Sequence, residues 1–374
     1  MKIAMIISNP FPPEEGIGYY TYNLAKKLIE NGHEVTIITR GSLKTEKFFF
    51  KGIQVIKVPF LPLYPFHVQI HGIFLNKFFK GIEDEFDLVH IHSPLAPIVK
   101  TDLPIISTIH TSLIEDMKHF QVSNINSTAI KLTTKISGYP LTQKLINKSN
   151  YVTTVSSSVA EELVSYYNTK NPIVVGNGVD EKRFYPIKEN QNNDPYALYV
   201  GRLDYRKGIL DLMKASILLK EDNIKLLVAG EGHLRSLIED YIQKNDLQNV
   251  SLLGHVSGEN LVELYQNAMI FVFPSHYEGL PTVLLEAMSC GLPVVTSNIP
   301  AHRGVITNFK NGLFAKSGSS MDIYDKINIL IDDEDLRQKL GNNARKTIEN
   351  KFTWDKISIK YEEIYKAAVK GEFS

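Results

Sequence analysis

Short, strongly apolar runs recur along the chain and alternate with stretches in which apolar residues return every three or four positions. An apolar run of four to eight residues predicts a buried strand, whereas the longer spacing predicts an amphipathic helix. Residues 2–7 form one such run, and residues 19–30 follow with helical spacing until an Asn-Gly pair ends the helix. This alternation predicts parallel α/β sheets. We predict strands at residues 2–7, 34–39, 53–58, 87–91, 104–110, 151–155, 172–175, 196–200, 224–229, 250–253 and 269–273, and a further buried strand at the end of residues 273–295.

The alternating pattern is interrupted by a polar, asparagine-rich stretch at residues 187–195. Because this stretch has no apolar periodicity, we interpret it as a linker between two domains. The first predicted domain spans residues 1–186 and the second spans residues 196–354, and both repeat the same strand–helix design. A last amphipathic helix is predicted within residues 355–374. The predicted fold class is therefore α/β, with two parallel-sheet domains.

Composition excludes several classes of protein. The chain has 374 residues, of which 43% are apolar and 22% are charged, which suits two globular cores. Its 41 basic residues balance 41 acidic ones, which argues against nucleic acid as a partner. The single cysteine, Cys290, excludes an intramolecular disulfide and a cysteine-based zinc cluster. We expect a cytoplasmic protein, because the first apolar run is too short for a signal peptide and no run reaches the ~18 residues of a spanning helix.

Residues 273–295, FPSHYEGLPTVLLEAMSCGLPVV, contain the most informative local pattern. Pro281 suits the first turn of a short helix, and Gly291 suits its end. Because this helix is apolar nearly all round, the carboxylate of Glu286 needs a partner, and Glu278 lies in the preceding loop. A helix N-terminus binds anions, whereas two acids suit neutral hydroxyls, so the stretch predicts a nucleotide-sugar site. The alternative, a buried Glu286 satisfied by backbone amides, stays open.

Two cations and two glycines lie at other strand-to-helix junctions. Gly201 ends a predicted strand, Arg202 follows it, and Lys207 precedes the next helix. Both charges are therefore expected where an anion on that helix terminus would bind. Gly16 and Gly18 open the first helix but lack the third glycine of a dinucleotide motif, so a simple turn explains them equally well.

Histidines lie at the ends of two predicted strands in the first domain. Ligands of open α/β sheets bind outside the carboxyl ends of the strands. His110 ends a strand on the side where the first glycine-containing loop must emerge, so we favour it as a site residue over His90 and His92. A lone histidine is more often structural, and that alternative stays open for all three.

Two segments of the first domain have the composition of a membrane-surface element. Residues 60–79 are rich in aromatic residues, and residues 117–160 contain five lysines and no acid. Lysines interleaved with apolar residues suit peripheral contact with anionic lipid, here at the inner face of the cell membrane. The alternative is ordinary helices that pack on the sheet and leave a solvated basic face. The lysines are Lys118, Lys131, Lys135, Lys144 and Lys148.

The run that begins at Glu278, continues through seven residues to Glu286 and ends in AMSCGLPVV resembles the donor-site signature of retaining GT-B glycosyltransferases of family 4. The motifs GNGVDEKRF, GRLDYRKG, GEG and EGLPTVLLE occur in the order typical of that family, so the resemblance covers almost the whole chain. It implies two Rossmann-like domains that face each other across a cleft. The acceptor would bind the first domain and the nucleotide sugar the second, with the helix in residues 355–374 crossing back to the first.

The resemblance also implies a role for each site residue. Arg202 and Lys207 would clamp the donor diphosphate. Glu278 would contact the hydroxyls of the transferred sugar, and Glu286 would contact the ribose diol. His110 would lie beside the reacting centre. Glycine loops and the helix start would complete the site through their backbone, at Gly16, Gly18, Gly230, Gly232, Leu280, Pro281, Thr282 and Val283.

The implied activity is retaining transfer of a hexosyl group from a UDP- or GDP-sugar to a saccharide or lipid-linked acceptor, in polysaccharide or glycolipid synthesis. No metal or cofactor is expected, because no Asp-x-Asp pair occurs in the metal-binding context of the other major glycosyltransferase fold. Arg202 and Lys207 could stabilise the leaving diphosphate instead. Two alternatives remain: a non-transferring GT-B enzyme, such as an epimerase or a phosphorylase, and an inactive protein that binds sugar nucleotides.

Overall fold

The computed structural model describes residues 1–14, 16–121, 125–187, 195–222 and 224–372. The chain divides into two compact units, one formed by Met1–Gly178 with Trp354–Ser374 and the other by Val179–Thr353. Each unit contains one sheet whose strands alternate with helices along the chain. The predicted fold class, α/β with two parallel-sheet domains, is confirmed.

The first unit has an eight-stranded sheet. Its strands are β1 (Lys2–Ile6), β2 (Glu34–Arg40), β3 (Glu46–Phe50), β4 (Ile53–Val58), β5 (Leu88–Ser93), β6 (Ile105–Ile109), β7 (Tyr151–Thr154) and β8 (Ile173–Val174). Their order across the sheet is β3-β4-β2-β1-β5-β6-β7-β8, and all neighbours are parallel except β3 and β4. The antiparallel edge strand β3 was not predicted, because its residues are mostly exposed and form no buried apolar run.

The second unit has a six-stranded parallel sheet. Its strands are β9 (Tyr196–Val200), β10 (Lys225–Ala229), β11 (Val250–Gly254), β12 (Ile270–Phe273), β13 (Val294–Ser297) and β14 (Leu313–Ala315). Their order is β11-β10-β9-β12-β13-β14, so the direction of the strand order reverses between β9 and β12. Loops that leave the carboxyl ends of strands at such a switch point form the usual ligand site of an open α/β sheet.

Helices connect the strands of both units. They are α1 (Gly16–Glu30), α2 (His67–Phe79), α3 (Leu113–Lys118), α4 (Ile125–Thr133), α5 (Tyr139–Lys148), α6 (Ser157–Tyr167), α7 (Ile209–Glu221), α8 (Arg235–Lys244), α9 (Gly258–Asn267), α10 (Thr282–Ser289), α11 (Pro300–Arg303), α12 (Ser320–Asp332), α13 (Glu334–Lys351) and α14 (Trp354–Val369). A π-helical turn joins α4 to α5, and short 3₁₀ turns lie at Glu83–Glu85 and Tyr205–Lys207. Within the described residues, no helix combines the length and the apolar content that crossing a bilayer requires.

Helix α14 packs within the first unit through a buried polar network. The Tyr361 hydroxyl lies 2.8 Å from the hydroxyls of both Tyr20 and Thr108. One turn later, the Tyr365 hydroxyl lies 2.7 Å from Nδ1 of His90. These bonds satisfy groups that would be costly to bury alone, and they fix the register of α14 on the sheet.

The division between the units differs from the predicted boundary. We expected the first domain to reach residue 186, but the second unit begins at Val179. Phe184 explains the difference, because its ring packs against Tyr265 and its carbonyl accepts a 2.6 Å hydrogen bond from the Ser289 hydroxyl. Most of the predicted linker at 187–195 lies outside the described residues.

Candidate active site

A buried ion pair lies at the switch point of the second sheet. Nζ of Lys207 lies 2.5 Å from Oε1 of Glu278, and only 13% and 9% of the two side chains are exposed. The Ser275 hydroxyl donates a 2.7 Å hydrogen bond to the same carboxylate oxygen. Lys207 follows β9 and Glu278 follows β12, so residues 71 positions apart meet because these strands are neighbours.

Burial and the charge of the partner shift the pKa of each residue of this pair in opposite directions. Burial alone would raise the pKa of Glu278, but the charges of Lys207 and Arg206, together with the Ser275 hydroxyl, hold it below its usual value. Burial lowers the pKa of Lys207, and the carboxylate of Glu278 only partly offsets this effect. A buried pair of this kind is stable because each partner compensates the desolvation of the other, so losing one partner is costly.

Close backbone packing brings Lys207 to this position. Asp204 caps the 3₁₀ turn by accepting a 3.1 Å hydrogen bond from the Lys207 amide. Gly208 then adopts a φ of +67°, and a Cβ at this position would lie 2.0 Å from the carbonyl oxygen of Pro274. Only glycine therefore allows the loop after β9 to lie directly against the loop after β12.

The N-terminus of α10 follows Glu278 closely in the sequence. The helix begins at Thr282, and its first turn contains no acidic residue. We expected Pro281 within the first turn, but it is the N-cap, because its ψ of 124° is extended. Proline has no side-chain acceptor, so it provides no cap for the amides of Thr282 and Val283. Leu280 and Pro281 are buried, whereas Thr282 and Val283 are half-buried.

Glu286 lies one turn further along α10 and is half-buried. Its Oε2 accepts a 3.0 Å hydrogen bond from the hydroxyl of Tyr265 on α9. Burial raises the pKa of Glu286 to about 7, against the lowering effects of the Tyr265 hydroxyl and the Arg183 charge. The hydrogen-bond partner of Glu286 is thus a side-chain hydroxyl, and the carboxyl can exist in either protonation state near neutral pH.

Arg202 differs from Lys207 in its exposure. Its side chain is 67% exposed and lies 3.4 Å from the carboxylate of Asp204. Its charge still contributes to lowering the pKa of Lys207, so the two cations lie in each other's field. Arg202 therefore keeps the freedom to reorient toward an anion beside Lys207.

Gly230 and Gly232 pack against the backbone on either side of Arg202. A Cβ at Gly230 would lie 1.9 Å from the Gly201 carbonyl oxygen, and a Cβ at Gly232 would lie 2.3 Å from that of Leu203. The amide of Leu203 donates a 2.9 Å hydrogen bond to the carbonyl of the residue between these glycines. Backbone packing thus explains why both positions are glycine.

The predicted site residues of the first unit differ in their surroundings. A Cβ at Gly16 would meet nothing within 4 Å, whereas a Cβ at Gly18 would lie 3.1 Å from that of Pro13. His110 is buried, with Nε2 3.3 Å from Nδ1 of His92 and its ring 4.7 Å from that of Tyr20. Burial lowers the pKa of His110 to about 3, so this imidazole is neutral near pH 7.

Sequence reasoning missed two residues that position the acids. Ser275 lies inside the FPSHYEG stretch, but nothing in that stretch indicates that its hydroxyl faces Glu278. Tyr265 follows the helical spacing of an ordinary core residue, and its hydroxyl is significant only because α9 packs beside α10.

Comparisons with known proteins agree over nearly the whole chain. Residues 180–347 match the family described as Glycosyl transferases group 1, and residues 15–183 match Glycosyltransferase Family 4. An uncharacterised glycosyltransferase of Methanocaldococcus jannaschii is 31% identical over 99% of both chains. A second relative, from Campylobacter jejuni, is the N,N'-diacetylbacillosaminyl-diphospho-undecaprenol alpha-1,3-N-acetylgalactosaminyltransferase. It is 26% identical, and the match covers 95% of this chain and 96% of the relative. Among solved structures, sucrose-phosphate synthase of Thermosynechococcus elongatus has a TM-score of 0.82 at 22% identity and covers 99% of both chains.

Proposed function

The chain belongs to the GT-B glycosyltransferases of family 4, and on this premise we propose that it transfers a hexosyl group from a UDP- or GDP-sugar with retention of anomeric configuration. The acceptor in this proposal is a saccharide or a lipid-linked saccharide, as in polysaccharide or glycolipid synthesis. The relative from Campylobacter jejuni supports a lipid-linked acceptor, because its name specifies a substrate linked to diphospho-undecaprenol.

The buried pair of Lys207 and Glu278 is the observation that carries this proposal. In the proposed complex, the Lys207 ammonium turns to the donor diphosphate and Glu278 accepts hydrogen bonds from hydroxyls of the sugar. Negative charge grows on the departing diphosphate as the bond to the sugar breaks. Glu278 holds this cation at the site before the donor binds, at 2.5 Å, so that only a turn of the side chain is needed to stabilise the charge.

Arg202 and the start of α10 would complete the diphosphate site. The exposed guanidinium of Arg202 can form two parallel hydrogen bonds to phosphate oxygens. The amides of Thr282 and Val283 receive no side-chain cap from Pro281, and the positive end of the helix dipole favours an anion there. These groups support a metal-independent and cofactor-independent transfer, because they supply the positive charge that a metal ion would otherwise provide.

Glu286 would bind the ribose diol of the donor. Its carboxyl, with a pKa raised by burial to about 7, can accept a hydrogen bond from one hydroxyl and, when protonated, donate to another. The Tyr265 hydroxyl holds one carboxyl oxygen at 3.0 Å and leaves the other for the ligand. The two acids thus bind different parts of one donor.

Product analysis tests the proposal. The purified chain is incubated with UDP- and GDP-hexoses, with and without a lipid-linked saccharide, and the anomeric configuration of the product is determined by NMR. We expect an α-linked product from an α-linked donor, at a rate that EDTA does not change. A β-linked product, or activity that EDTA abolishes, contradicts the proposal. Sugar release or epimerisation that ignores the acceptor would favour a non-transferring enzyme.

We further propose that the acceptor is reached at an anionic membrane surface, at the inner face of the cell membrane. Two of the five lysines predicted for this role have protein partners: Lys118 lies 2.6 Å from Glu115 and Lys148 donates to the carbonyl of Val99. The remaining three lysines are exposed, and two of them, Lys131 and Lys135, lie next to exposed apolar side chains, the combination that an interfacial segment requires. These residues are Ile130, Lys131, Leu132, Lys135, Ile136 and Lys144.

Vesicle cosedimentation tests this surface. Replacing Lys131, Lys135 and Lys144 with Gln removes charges that are worth about 1 kcal/mol each near an anionic surface. We expect the triple variant to lose most of its binding to anionic vesicles. A matched control replaces three exposed lysines of the second unit, Lys214, Lys244 and Lys346. Equal binding by both triple variants, or equal binding to neutral vesicles, would show that the surface is only a solvated face.

A further inference from the structure

Arg40 is a half-buried cation at the carboxyl end of β2. Its guanidinium lies 4.9 Å from the centroid of the Phe60 ring. Within the described part of the chain, no carboxylate or carbonyl oxygen accepts a hydrogen bond from Arg40. An arginine carries five N–H donors, and a partly buried guanidinium normally uses several of them. Arg40 is therefore oriented by an aromatic ring while its donors stay available.

The N-terminus of α2 lies against the same ring. Phe66 is the N-cap and offers no side-chain acceptor, and the first turn of α2 contains no acid. The Phe60 ring centroid lies 6.0 Å from the ring of His67 and 5.7 Å from the ring of His71. The positive end of this 13-residue helix is thus near Arg40, without a negative group from its own first turn.

His67 and His71 provide an independent observation at this position. They are 6% and 1% exposed, and Nδ1 of His67 and both ring nitrogens of His71 have no hydrogen-bond partner within the described residues. Burial and then the charge of Arg40 lower the pKa of both imidazoles, which places them in the field of the guanidinium. Buried polar nitrogens without a partner are rare in folded proteins.

These groups share one chemical property. A guanidinium, free helix amides and neutral imidazoles can all donate hydrogen bonds, and no acidic side chain contacts them in the described structure. A ligand that offers only acceptors and carries negative charge would satisfy the whole set. The planar guanidinium fork matches the oxygen geometry of a phosphate, to which it can bind bidentately.

We propose that Arg40 and the N-terminus of α2 bind a phosphate group of the acceptor substrate, with His67 and His71 as buried supporting donors. The description of this ligand as an acceptor rests on the proposed transferase function. Leu63, Tyr64 and Phe66, which precede α2, are 58%, 65% and 53% exposed. An apolar chain attached to the phosphate would lie on these side chains, so a lipid phosphate fits the site better than a soluble sugar phosphate.

Calorimetric titration of the full-length chain tests the site without any transfer reaction. Excess nucleoside diphosphate is present throughout, so that phosphate probes do not occupy the donor site. The probes are a short-chain prenyl phosphate, the matching prenol and a hexose phosphate. Arg40→Gln removes the charge, and Arg40→Lys keeps the charge but removes the fork, which provides a second variant if the first fails to fold. Lys57→Gln is the matched control, because Lys57 lies on the neighbouring strand with Nζ 5.1 Å from the Phe48 ring.

We expect the prenyl phosphate to bind about tenfold or more weakly to Arg40→Gln, which corresponds to the loss of charged hydrogen bonds. Lys57→Gln should bind like the wild type, and the imidazole nitrogen NMR signals of His67 and His71 should shift on binding. Equal affinity of the wild type and both Arg40 variants, or a prenol that binds as tightly as its phosphate, overturns the inference. Tighter binding of the hexose phosphate than of the prenyl phosphate keeps the phosphate site but assigns it to a soluble acceptor. The titration measures binding alone, so a failure of the transferase proposal would be detected separately, by the product analysis described above.

Discussion

The two units bury polar groups near the carboxyl ends of their sheets in opposite ways. The second unit buries charge, in the 2.5 Å pair of Lys207 and Glu278. The first unit buries neutral groups, because burial lowers the pKa of both His90 and His110 to about 3. Tyrosine and threonine hydroxyls complete that neutral network. A buried charge is costly unless a partner or a ligand compensates it, whereas neutral hydrogen bonds stabilise a core at low cost.

This difference indicates separate roles for the charged pair of the second unit and the neutral network of the first. The second unit keeps a compensated charge, which in our proposal binds the donor diphosphate and takes part in catalysis. The neutral network of the first unit attaches α14 to the sheet, through Tyr361 and Tyr365. Variants of the charged pair should therefore affect turnover and pH dependence, whereas variants of the tyrosine hydroxyls that hold α14 should affect stability.

The largest expected effect follows from breaking the charged pair. Lys207→Ala removes a preorganised donor, so kcat should fall about 100- to 1000-fold in a transfer assay. Glu278 is then buried and unpaired, so the melting temperature should fall as well. The double variant Lys207→Ala with Glu278→Gln should recover the melting temperature without recovering kcat. Near-normal turnover of the single variant would show that the pair is structural.

Arg202→Ala separates catalysis from folding within the same site. The side chain is 67% exposed, so its removal should leave the melting temperature unchanged while kcat falls by a similar factor. Lys214→Ala, an exposed lysine on α7, is the control that should change neither quantity. An Arg202→Ala variant with wild-type kcat would remove Arg202 from the proposed diphosphate site.

Glu286 should make the stability of the second unit depend on pH. Burial raises its pKa to about 7 in the folded state, above the value of 4.5 of an unperturbed carboxyl. The folded state therefore binds the extra proton between these values, and the contribution is fully present below about pH 4.5 and lost as the pH rises through about 7. The free energy of unfolding should fall by up to about 3 kcal/mol over this window. Calorimetric unfolding of the wild type and Glu286→Gln compares the two slopes, and parallel pH profiles would contradict the assignment.

The two acids should differ in what their loss weakens. Glu286→Gln should weaken the binding of a bare nucleoside diphosphate about tenfold, a typical cost for one hydrogen bond to a charged group. Glu278→Gln should spare that binding and lower the rate of sugar transfer, because Glu278 contacts the sugar in our proposal. Calorimetry with the nucleoside diphosphate alone separates the two variants. Equal losses of affinity would mean that the acids do not contact different parts of the donor.

Apolar runs were sufficient to predict most of both sheets, because parallel strands buried on both faces are continuous apolar segments. Every residue of β9 and β12 is buried, and both strands were predicted. The edge strand β3 alternates between exposed and half-buried positions, so its run EKFFF did not stand out as a strand. The second unit begins eight residues before the predicted linker, because the packing of Phe184 on Tyr265 involves a residue distant in sequence.

The sequence was sufficient to single out the charged residues of the candidate site, but their contacts could not be predicted from it. The spacing of Glu278 and Glu286 indicated two acids around one helix, and a cation was expected after β9. That Lys207 touches Glu278 depends on β9 and β12 being neighbours, which no local pattern encodes. The roles of Ser275 and Tyr265 likewise depend on side-chain positions that only the folded chain defines.

The smallest expected effect tests the neutral network of the first unit. Tyr361→Phe removes one hydroxyl, whose partners Tyr20 and Thr108 keep other hydrogen bonds, to the Gly176 carbonyl and to Thr153 respectively. The free energy of unfolding should therefore fall by only about 1 kcal/mol. The single tryptophan, Trp354, lies in α14 and packs 5.1 Å from the Tyr20 ring, so its fluorescence during urea unfolding reports this unit. Tyr19→Phe alters an exposed ring in the same unit and should leave the urea midpoint unchanged. A loss well above 1 kcal/mol would mean that the Tyr20 or Thr108 hydroxyl is left without a partner, and that this network is as costly to break as the charged pair.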